Sequence, residues 1–392
     1  MGTGGTRFKS HRIFTKNISQ NIYLIELTFF EKILKNNRSK SGACMSSPLK
    51  ISIVIIFFGV VILAGCEFFT QEKQPRPTFS DLDQINNETN HDDPAITDPE
   101  RLVTAGKIWI LANASAAFPQ RSGHATIAFN NRLWVIGGTD GINKNDVWYS
   151  TDGVIWNLAN ASPAFSPRIK FTSVVFHDKM WIIAGEGDND SLNGVWYSTD
   201  GEIWNLATAT PGFSRRTDHS SVVFDNKMWV IGGSNLTGRL VNDTWYSTDG
   251  ITWKCANPSA EFPARAEQKS VVFNHKMWVI GGWWNGDGQN DVWYSSDGIH
   301  WDQATDSAAF SHRMEFSSVV YDNKVWVIGG WHKNDVWYSK DGKTWMPANE
   351  SAAFLPRHGH TSVVFDDKMW VIGGSKGSYY LIDDLHDVWH SS

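Results

Sequence analysis

Cysteine is scarce in this sequence, with three in 392 residues, so a fold held together by a disulfide framework is excluded. Charged residues make up only 19%, and long polar, glycine-rich stretches exclude a membrane protein with many spanning helices. Basic residues are in deficit from residue 66 onward, where 26 Lys and Arg face 39 Asp and Glu. The resulting charge of −13 argues against a nucleic acid partner, because phosphate binding depends on positive charge.

Tryptophan and glycine are abundant instead. The sequence holds 21 Trp and 33 Gly, and aromatic residues reach 13%. A high content of aromatic and turn-forming residues is typical of strands joined by tight turns. The composition therefore predicts an all-β protein.

Residues 45–66 read MSSPLKISIVIIFFGVVILAGC, with a short polar stretch, an apolar run from Ile51 to Leu63, and small residues before Cys66. This order predicts a secretory signal peptide over residues 45–65, and the apolar run is shorter than the roughly 20 residues of a spanning helix. The last four residues, LAGC, resemble the lipobox of bacterial lipoproteins, which implies that Cys66 is acylated and becomes the first mature residue. Residues 1–44 precede a complete signal, so we interpret them as a disordered over-extension of the reading frame.

Residues 66–106 are polar, acidic and contain proline, without a sustained hydrophobic period. This composition predicts a disordered tether, and about 40 such residues span on the order of 35 Å. By resemblance to sorted lipoproteins, Glu67 in place of Asp after the cysteine does not favour retention at the inner membrane. We therefore expect a protein anchored by lipid in the cell envelope, at the outer membrane or cell surface.

Residues 107–392 carry one motif six times. The phrase WVIGG occurs five times and WIIAG once, at intervals of 44 to 49 residues, and such a period indicates a propeller or solenoid. The pattern of each unit predicts four strands, A to D. Strand A is of the type HSSVVF, and strand B reads KMWVIGG. Strand C reads NDVWYS, and strand D follows an Asp-Gly turn. A hydrophobic strand ending in Gly-Gly, followed by an aromatic residue and a Trp, resembles the kelch repeat. The resemblance implies a six-bladed kelch-type β-propeller with four-stranded blades around a channel.

Eighteen of the tryptophans fall at three repeated positions, in strands B, C and D. The D set begins at Trp109, before any A strand, and the C set ends at Trp389, so one strand is spare at each end. We predict that the N-terminal strand pairs with the last blade and closes the ring, which leaves no long sheet edge open. The repeated tryptophans are predicted to form the core.

The repeats disagree on one face. Alternating strand direction places the B-to-C and D-to-A loops on the same face, and the B-to-C loops vary from 3 to 11 residues, which predicts a binding face. The three off-pattern tryptophans, Trp283, Trp284 and Trp331, follow strand B in blades four and five. We predict that they form a platform for a sugar or a protein loop. The alternative is that they plug the channel or pack between blades.

An arginine precedes every A strand, and the six are Arg121, Arg168, Arg216, Arg265, Arg313 and Arg357. A ring of guanidinium groups near the channel mouth would suit a carboxylate or an acidic peptide. Repetition in all six blades favours a structural alternative, in which each arginine pairs with the Asp of strand C. Gly194 takes the place of that Asp in blade two.

The residues two and three positions after each arginine vary from blade to blade. Glu267 and Glu315 stand at the first of these positions in the two blades that hold the extra tryptophans. We therefore predict one ligand site in blades four and five, formed by Trp283, Trp284, Trp331, Glu267, Glu315, Arg265 and Arg313.

The sequence favours a non-catalytic module that binds a glycan or an envelope or extracellular protein, acts as a monomer, and uses no metal or cofactor. The alternative is a carbohydrate-active enzyme similar to the kelch-type sialic acid mutarotases, with Glu267 or Glu315 as acid and base beside Arg265 or Arg313. Copper oxidases share the kelch fold, but their Tyr-Cys crosslink and Tyr/His ligand set have no counterpart around Cys255.

Overall fold

The computed structural model describes residues 104–188, 191–377 and 383–392. The predicted signal peptide, Cys66 and nearly all of the predicted tether lie outside these ranges. Within them, no helix is long and apolar enough to cross a membrane.

The described elements are 25 strands in six sheets. The first is β1 (Ile110–Asn113). Blade one holds β2 (Ala125–Phe129), β3 (Arg132–Thr139), β4 (Asn143–Ser150) and β5 (Asn157–Asn160). Blade two holds β6 (Thr172–Phe176), β7 (Lys179–Glu186), β8 (Ser191–Ser198) and β9 (Asn205–Thr208). Blade three holds β10 (Arg216–Thr217), β11 (Ser220–Phe224), β12 (Lys227–Asn235), β13 (Leu240–Ser247) and β14 (Lys254–Asn257).

The second half of the chain continues the pattern. Blade four holds β15 (Lys269–Phe273), β16 (Lys276–Trp284), β17 (Asp287–Ser295) and β18 (Asp302–Thr305). Blade five holds β19 (Ser317–Tyr321), β20 (Lys324–Gly330), β21 (Lys333–Ser339) and β22 (Trp345–Asn349). Blade six holds β23 (Thr361–Phe365), β24 (Lys368–Ser375) and β25 (Asp384–Ser391), together with β1.

Neighbouring strands in each blade are antiparallel, and the A strands line up side by side around the channel. The B strands are the most buried, because both of their faces pack against apolar residues, as the burial of β3 and β7 over six consecutive positions shows. The six-bladed, all-β propeller predicted from the repeats is confirmed.

The two ends of the described chain meet in blade six. Strand β1 pairs with β25, with Ile110 opposite His390 and Leu111 opposite Trp389. The backbone N–H of Gly106 donates to Ser391 Oγ at 2.8 Å. This bond is equivalent to the one from Gly153 N–H to Ser150 Oγ in blade one, but it joins the two ends of the described chain. The predicted closure of the ring by the N-terminal strand is therefore confirmed.

Adjacent blades interlock through a Trp-to-Gly contact. The indole of each B-strand Trp lies over the glycine of the C-to-D turn in the next blade, so that a Cβ on Gly153 would lie 2.2 Å from the Trp370 ring. The same contact joins Trp326 to Gly106 at the closure, where a Cβ would also lie 2.2 Å from the ring. Glycine is required here because both turns have positive φ and leave no room for a side chain.

The prediction that all eighteen repeated tryptophans form the core is correct for strands B and D but not for strand C. The B and D tryptophans are buried, whereas the C tryptophans are half-buried. The indole N–H of Trp148 donates to Asp146 at 2.7 Å, and the C tryptophans of four other blades make the equivalent bond. These residues cover an ion pair rather than fill the centre of the blade.

That ion pair is the predicted structural role of the arginines. Five arginines donate to both carboxylate oxygens of the C-strand Asp, at 2.6 to 3.0 Å. The pairs are Arg121–Asp146, Arg216–Asp243, Arg265–Asp291, Arg313–Asp335 and Arg357–Asp387. Each guanidinium also donates to the carbonyl of the first glycine in its Gly-Gly pair, at 2.7 to 3.0 Å. The pair therefore ties strands B and C to the loop that enters strand A.

Candidate functional site at the channel mouth

Six residues, each two positions after one of the repeated arginines, surround one mouth of the channel. They share a left-handed backbone, with φ between 51° and 62°. Five hydrogen bonds, at 2.8 to 3.1 Å, run between consecutive members, each from a backbone N–H to the carbonyl of its counterpart in the preceding blade. We call this set the mouth ring, and its members are Gly123, Lys170, Asp218, Glu267, Glu315 and Gly359.

Four members of the mouth ring carry charged side chains in a conformation that favours glycine. A non-glycine residue with a left-handed backbone is uncommon, and such strain is concentrated at functional sites. The two glycines in blades one and six show that the ring closes without side chains. The charges of Lys170, Asp218, Glu267 and Glu315 therefore point to a role beyond folding.

The mouth ring borders a cavity of about 220 Å³. Its wall includes Thr139 at the end of β3, Lys269 at the start of β15, and His358 beside the ring. A second cavity of about 160 Å³ lies between the A strands, where hydroxyl groups such as those of Thr126, Ser173 and Ser270 line the channel. The channel is thus polar, and its mouth is charged.

Lys170 is held by acidic neighbours. Its Nζ lies 3.4 Å from Asp218 Oδ2 and 3.9 Å from Glu186 Oε2. Asp218 raises the pKa of Lys170 above its ordinary value, against the opposing effect of burial, and Glu315 adds to the rise. Lys170 is therefore a fixed positive charge on one side of the mouth.

Glu267 has the most perturbed carboxyl group in the mouth. Burial raises its pKa to about 8, and the negative charges of Asp218 and Glu315 contribute to the rise. Its Oε2 atom is buried and has no hydrogen-bond partner among the described residues. A buried oxygen without a partner is costly, so Glu267 is poised to bind a donor group from a ligand.

Lys269, two residues further along, is also perturbed. Burial lowers its pKa, although Asp218, Glu267 and Glu315 act in the opposite direction. Glu267 and Lys269 are thus an acid and a base whose pKa values are displaced in opposite senses, which is a property common at functional sites.

Glu315 is paired with a histidine that lies 43 residues further along the chain. His358 Nδ1 lies 2.8 Å from Glu315 Oε2, and the His358 ring stacks on Trp331 with centroids 4.4 Å apart and an interplanar angle of 17°. Burial acts to raise the pKa of Glu315, but the hydrogen bond and charge of His358 outweigh it and lower the pKa. One of the predicted tryptophans is therefore joined to one of the predicted carboxylates through His358.

Trp283 occupies in blade four the position of Trp331 in blade five. Trp283 exchanges two backbone hydrogen bonds with Ala266, at 2.7 and 3.1 Å, and Trp331 N–H donates to Met314 O at 3.2 Å. Trp283 and Trp284 are half-buried at the end of β16. The Trp284 Nε1 atom is buried and has no partner within the described ranges. The three off-pattern tryptophans thus lie on the same face as the mouth ring.

Arg265 and Arg313 lie beneath this surface. Both are buried and are bonded to Asp291 and Asp335. Their donors are directed to these carboxylates and to glycine carbonyls, whereas the glutamates two residues later reach the cavity. Of the seven predicted ligand residues, the structure places the two glutamates in the cavity wall and the two arginines in the blade interior.

The position three residues after each arginine serves the joints between blades. His124, His219 and His360 are buried, and Nε2 of each lies 2.8 to 2.9 Å from a Ser or Thr hydroxyl of a neighbouring blade. Burial lowers the pKa of His124 and His219 to about 3, so these rings are neutral. Gln268 takes the same place in blade four and donates to Ile231 O at 2.8 Å.

Sequence reasoning missed His358, Lys170, Asp218 and Lys269 as parts of the site. His358 follows Arg357 directly, at a position where the other blades carry Ser, Ile, Thr, Ala and Met. That difference was the available signal. Its partners Glu315 and Trp331 belong to the preceding blade, so their proximity depends on the closed ring. No group of three or more potential metal ligands is found in the described part of the chain.

Comparison with protein families agrees with this architecture. Residues 123–330 match the KLHDC2/KLHL20/DRC7 Kelch-repeats domain, and residues 356–390 match the Kelch motif. The fold and the repeats define the class as kelch-type β-propellers. The chain belongs to the kelch-repeat family, since the first match covers more than half of its length. No curated protein matches the chain.

Proposed function

We propose that this protein is a non-catalytic binding module of the cell envelope that receives a protein segment or a glycan at the channel mouth. The observation that carries the proposal is the mouth ring, in which four charged side chains surround a cavity on strained backbone. The kelch propeller fold supports a protein ligand, because rigid blades present variable loops as a binding face.

The chemistry of the mouth favours a ligand that brings hydrogen-bond donors. Glu267 offers a buried carboxyl oxygen without a partner, and Asp218 lies nearby in the same ring. A Lys or Arg side chain of a partner protein would supply such donors. Its positive charge would also favour the ionised form of Glu267. The off-pattern tryptophans on the same face, of which Trp331 stacks on His358 of the cavity wall, favour a sugar as the second ligand class, since sugar rings stack on indoles.

Attachment through the predicted Cys66 lipid is compatible with the place where the described chain begins. Gly106 occupies the same position as the glycine of a C-to-D turn, which lies on the face opposite the mouth. The measurement is membrane fractionation: Cys66→Ser is expected to move the protein into the soluble fraction, and retention in the membrane fraction would refute the anchor.

Binding is tested on the full chain with two mouth variants and one control. Glu267→Gln and Trp331→Ala are expected to weaken binding of an envelope protein or a glycan by at least about tenfold, which is 1.4 kcal/mol. Glu202→Gln, an exposed side chain at a C-to-D turn, is the matched control and should bind as the parent does. Titration calorimetry against both ligand classes gives the answer, and equal affinities for all three variants would contradict the proposal.

A second candidate function is supported by the opposite pKa shifts of Glu267 and Lys269. A carboxylic acid protonated near neutral pH beside an amine of lowered pKa suits proton transfer in the ring opening of a sugar acid, similar to the reaction of the kelch-type mutarotases. The test is the rate of anomer exchange of sialic acid by NMR. If the protein accelerates the exchange, and Glu267→Gln abolishes the acceleration while folding is retained, the enzyme is favoured. If the rate is not accelerated, the non-catalytic binding function is favoured.

A further inference from the structure

Blade two differs from the other five blades at the buried arginine. In those five, the C-strand Asp accepts two bonds from the arginine and one, at 2.7 Å, from the Trp two residues later. In blade two this Asp is replaced by Gly194, so Arg168 has no carboxylate partner among the described residues.

Among the described residues, all hydrogen-bond partners of the buried Arg168 guanidinium are neutral. It is 2% exposed and donates to the carbonyls of Ala184 at 2.9 Å and Ser166 at 3.1 Å, and to Ser166 Oγ at 3.2 Å. Burial lowers its pKa to about 10, with no charged group acting against that effect. An unpaired buried charge is strongly unfavourable, so a counter-ion at this position would stabilise the fold.

The donors of blade two keep the arrangement that holds a carboxylate elsewhere. The Arg168 guanidinium lies 5.5 Å from the Phe165 ring centroid, as Arg121 does from Phe118. The Trp196 indole lies 6.5 Å from Phe165 at an interplanar angle of 62°, against 6.5 Å and 68° for the equivalent pair in blade six. The Arg168 guanidinium and the Trp196 indole therefore lie at nearly the same distances from Phe165 as their counterparts do in the complete blades.

We propose that blade two binds a small monovalent anion, a formate-like carboxylate or a halide, between the Arg168 guanidinium and the Trp196 indole N–H. The anion takes the place of the missing Asp carboxylate and accepts the same three hydrogen bonds. In the five complete blades the Asp side chains are 10 to 19% exposed, so this position opens to solvent enough for a small ion. Charge-assisted bonds of this kind are among the stronger hydrogen bonds in proteins.

Thermal unfolding of the full chain in formate tests the site. At constant ionic strength, formate is expected to raise the Tm of the parent, because a ligand that binds only the folded state stabilises it. Gly194→Asp supplies the carboxylate covalently, so its Tm should not respond to formate. Trp196→Phe removes one donor and should respond less than the parent. An equal rise in the parent and in Gly194→Asp, or no rise in the parent, would overturn the proposal.

The matched control for Gly194→Asp is Gly194→Asn, which has the same shape without the charge. A Cβ at Gly194 would lie 3.1 Å from Trp196 Nε1, so both variants share the same steric cost. We expect the Asp variant to have the higher Tm of the two in formate-free buffer, and a Tm equal to or below that of the Asn variant would contradict the site.

Crystals of the parent grown in bromide give a direct test that does not depend on stability. An anomalous peak is expected between the Arg168 Nη atoms and Trp196 Nε1, and the same crystals of Gly194→Asp should lack it. Bromide found only at surface lysines would mean an adventitious ion only and would refute the site.

Discussion

The two faces of this propeller are built by the same six repeats. They differ in whether equivalent positions carry the same side chain in every blade. On the C-to-D turn face every blade presents a Ser-x-Asp-Gly turn or its equivalent, and at the closure the serine comes from Ser391 at the other end of the chain. On the mouth face the mouth ring keeps one backbone conformation in all six blades, while its side chains change from glycine to lysine to glutamate. We therefore interpret the positions that are the same in every blade as those needed to close the ring. The mouth-ring positions, whose side chains vary while their backbone does not, are interpreted as those that bind a ligand.

The largest effect is expected from removing a repeated tryptophan. Trp326→Ala should lower the free energy of unfolding by about 3–5 kcal/mol, because it leaves a cavity between blades five and six. Trp331→Ala, five residues along in the same blade, should cost about 1 kcal/mol or less, since its side chain is only half-buried. Urea denaturation compares the two, and similar losses would mean that the off-pattern tryptophan is structural as well.

The next effect concerns the buried ion pair. Asp291→Ala leaves Arg265 buried without its carboxylate and should lower the free energy of unfolding by about 3 kcal/mol. If an anion binds the unpaired arginine of blade two, formate should also bind the unpaired Arg265 of this variant and restore part of the lost stability. Chemical denaturation with and without formate gives the measurement, and a loss below about 1 kcal/mol would contradict the structural role of the pair.

A smaller, pH-dependent effect is expected at Glu267. Its folded-state pKa, about 8, lies above the ordinary value of 4.5, so the proton it holds stabilises the fold fully below pH 4.5, and this contribution is lost as pH rises through 8. Glu267→Gln cannot lose that proton. The Tm difference between the variant and the parent should therefore grow in favour of the variant from pH 5 to pH 9, and a constant difference would show that the carboxyl group is not perturbed.

The smallest effect is expected at Ala184. It stands where the other five blades have the first glycine of the Gly-Gly pair, and its φ is 57°. Ala184→Gly should relieve left-handed strain and stabilise the protein by about 0.5 kcal/mol, after the greater freedom of glycine in the unfolded chain is counted. A calorimetric scan that shows a lower Tm would mean that the methyl group packs favourably.

Much of the uniform face could be predicted from the sequence. The period and the tryptophan positions predicted six blades and the closure at Trp109 and Trp389, because the same pattern of strand and core residues occurs in every repeat. The pairing of arginine with the C-strand Asp, and its exception at Gly194, followed from the same repetition. The half-buried position of the C-strand tryptophans did not follow, because sequence does not show that Asp146 and its equivalents draw the indole N–H outward.

The mouth was only partly predictable. Glu267 and Glu315 stood out because the repeats disagree at their position. The left-handed backbone of the mouth ring depends on hydrogen bonds between neighbouring blades, and these exist only once the ring is closed. The contact of His358 with Glu315 and Trp331 crosses from blade six to blade five for the same reason. The sequence marks His358 as different from its counterparts in the other blades, but it does not show which residues His358 contacts.

Selective blocking of each face tests the central claim most directly. In a background in which Cys44, Cys66 and Cys255 are all replaced by Ser, Thr139→Cys places a thiol in the wall of the mouth cavity and Glu202→Cys places one on the C-to-D turn face. Each is labelled with a bulky maleimide, and binding of the protein or glycan ligand is measured before and after labelling. Our account predicts that the label at position 139 abolishes binding and the label at 202 does not. Loss of binding only with the label at 202 would contradict it.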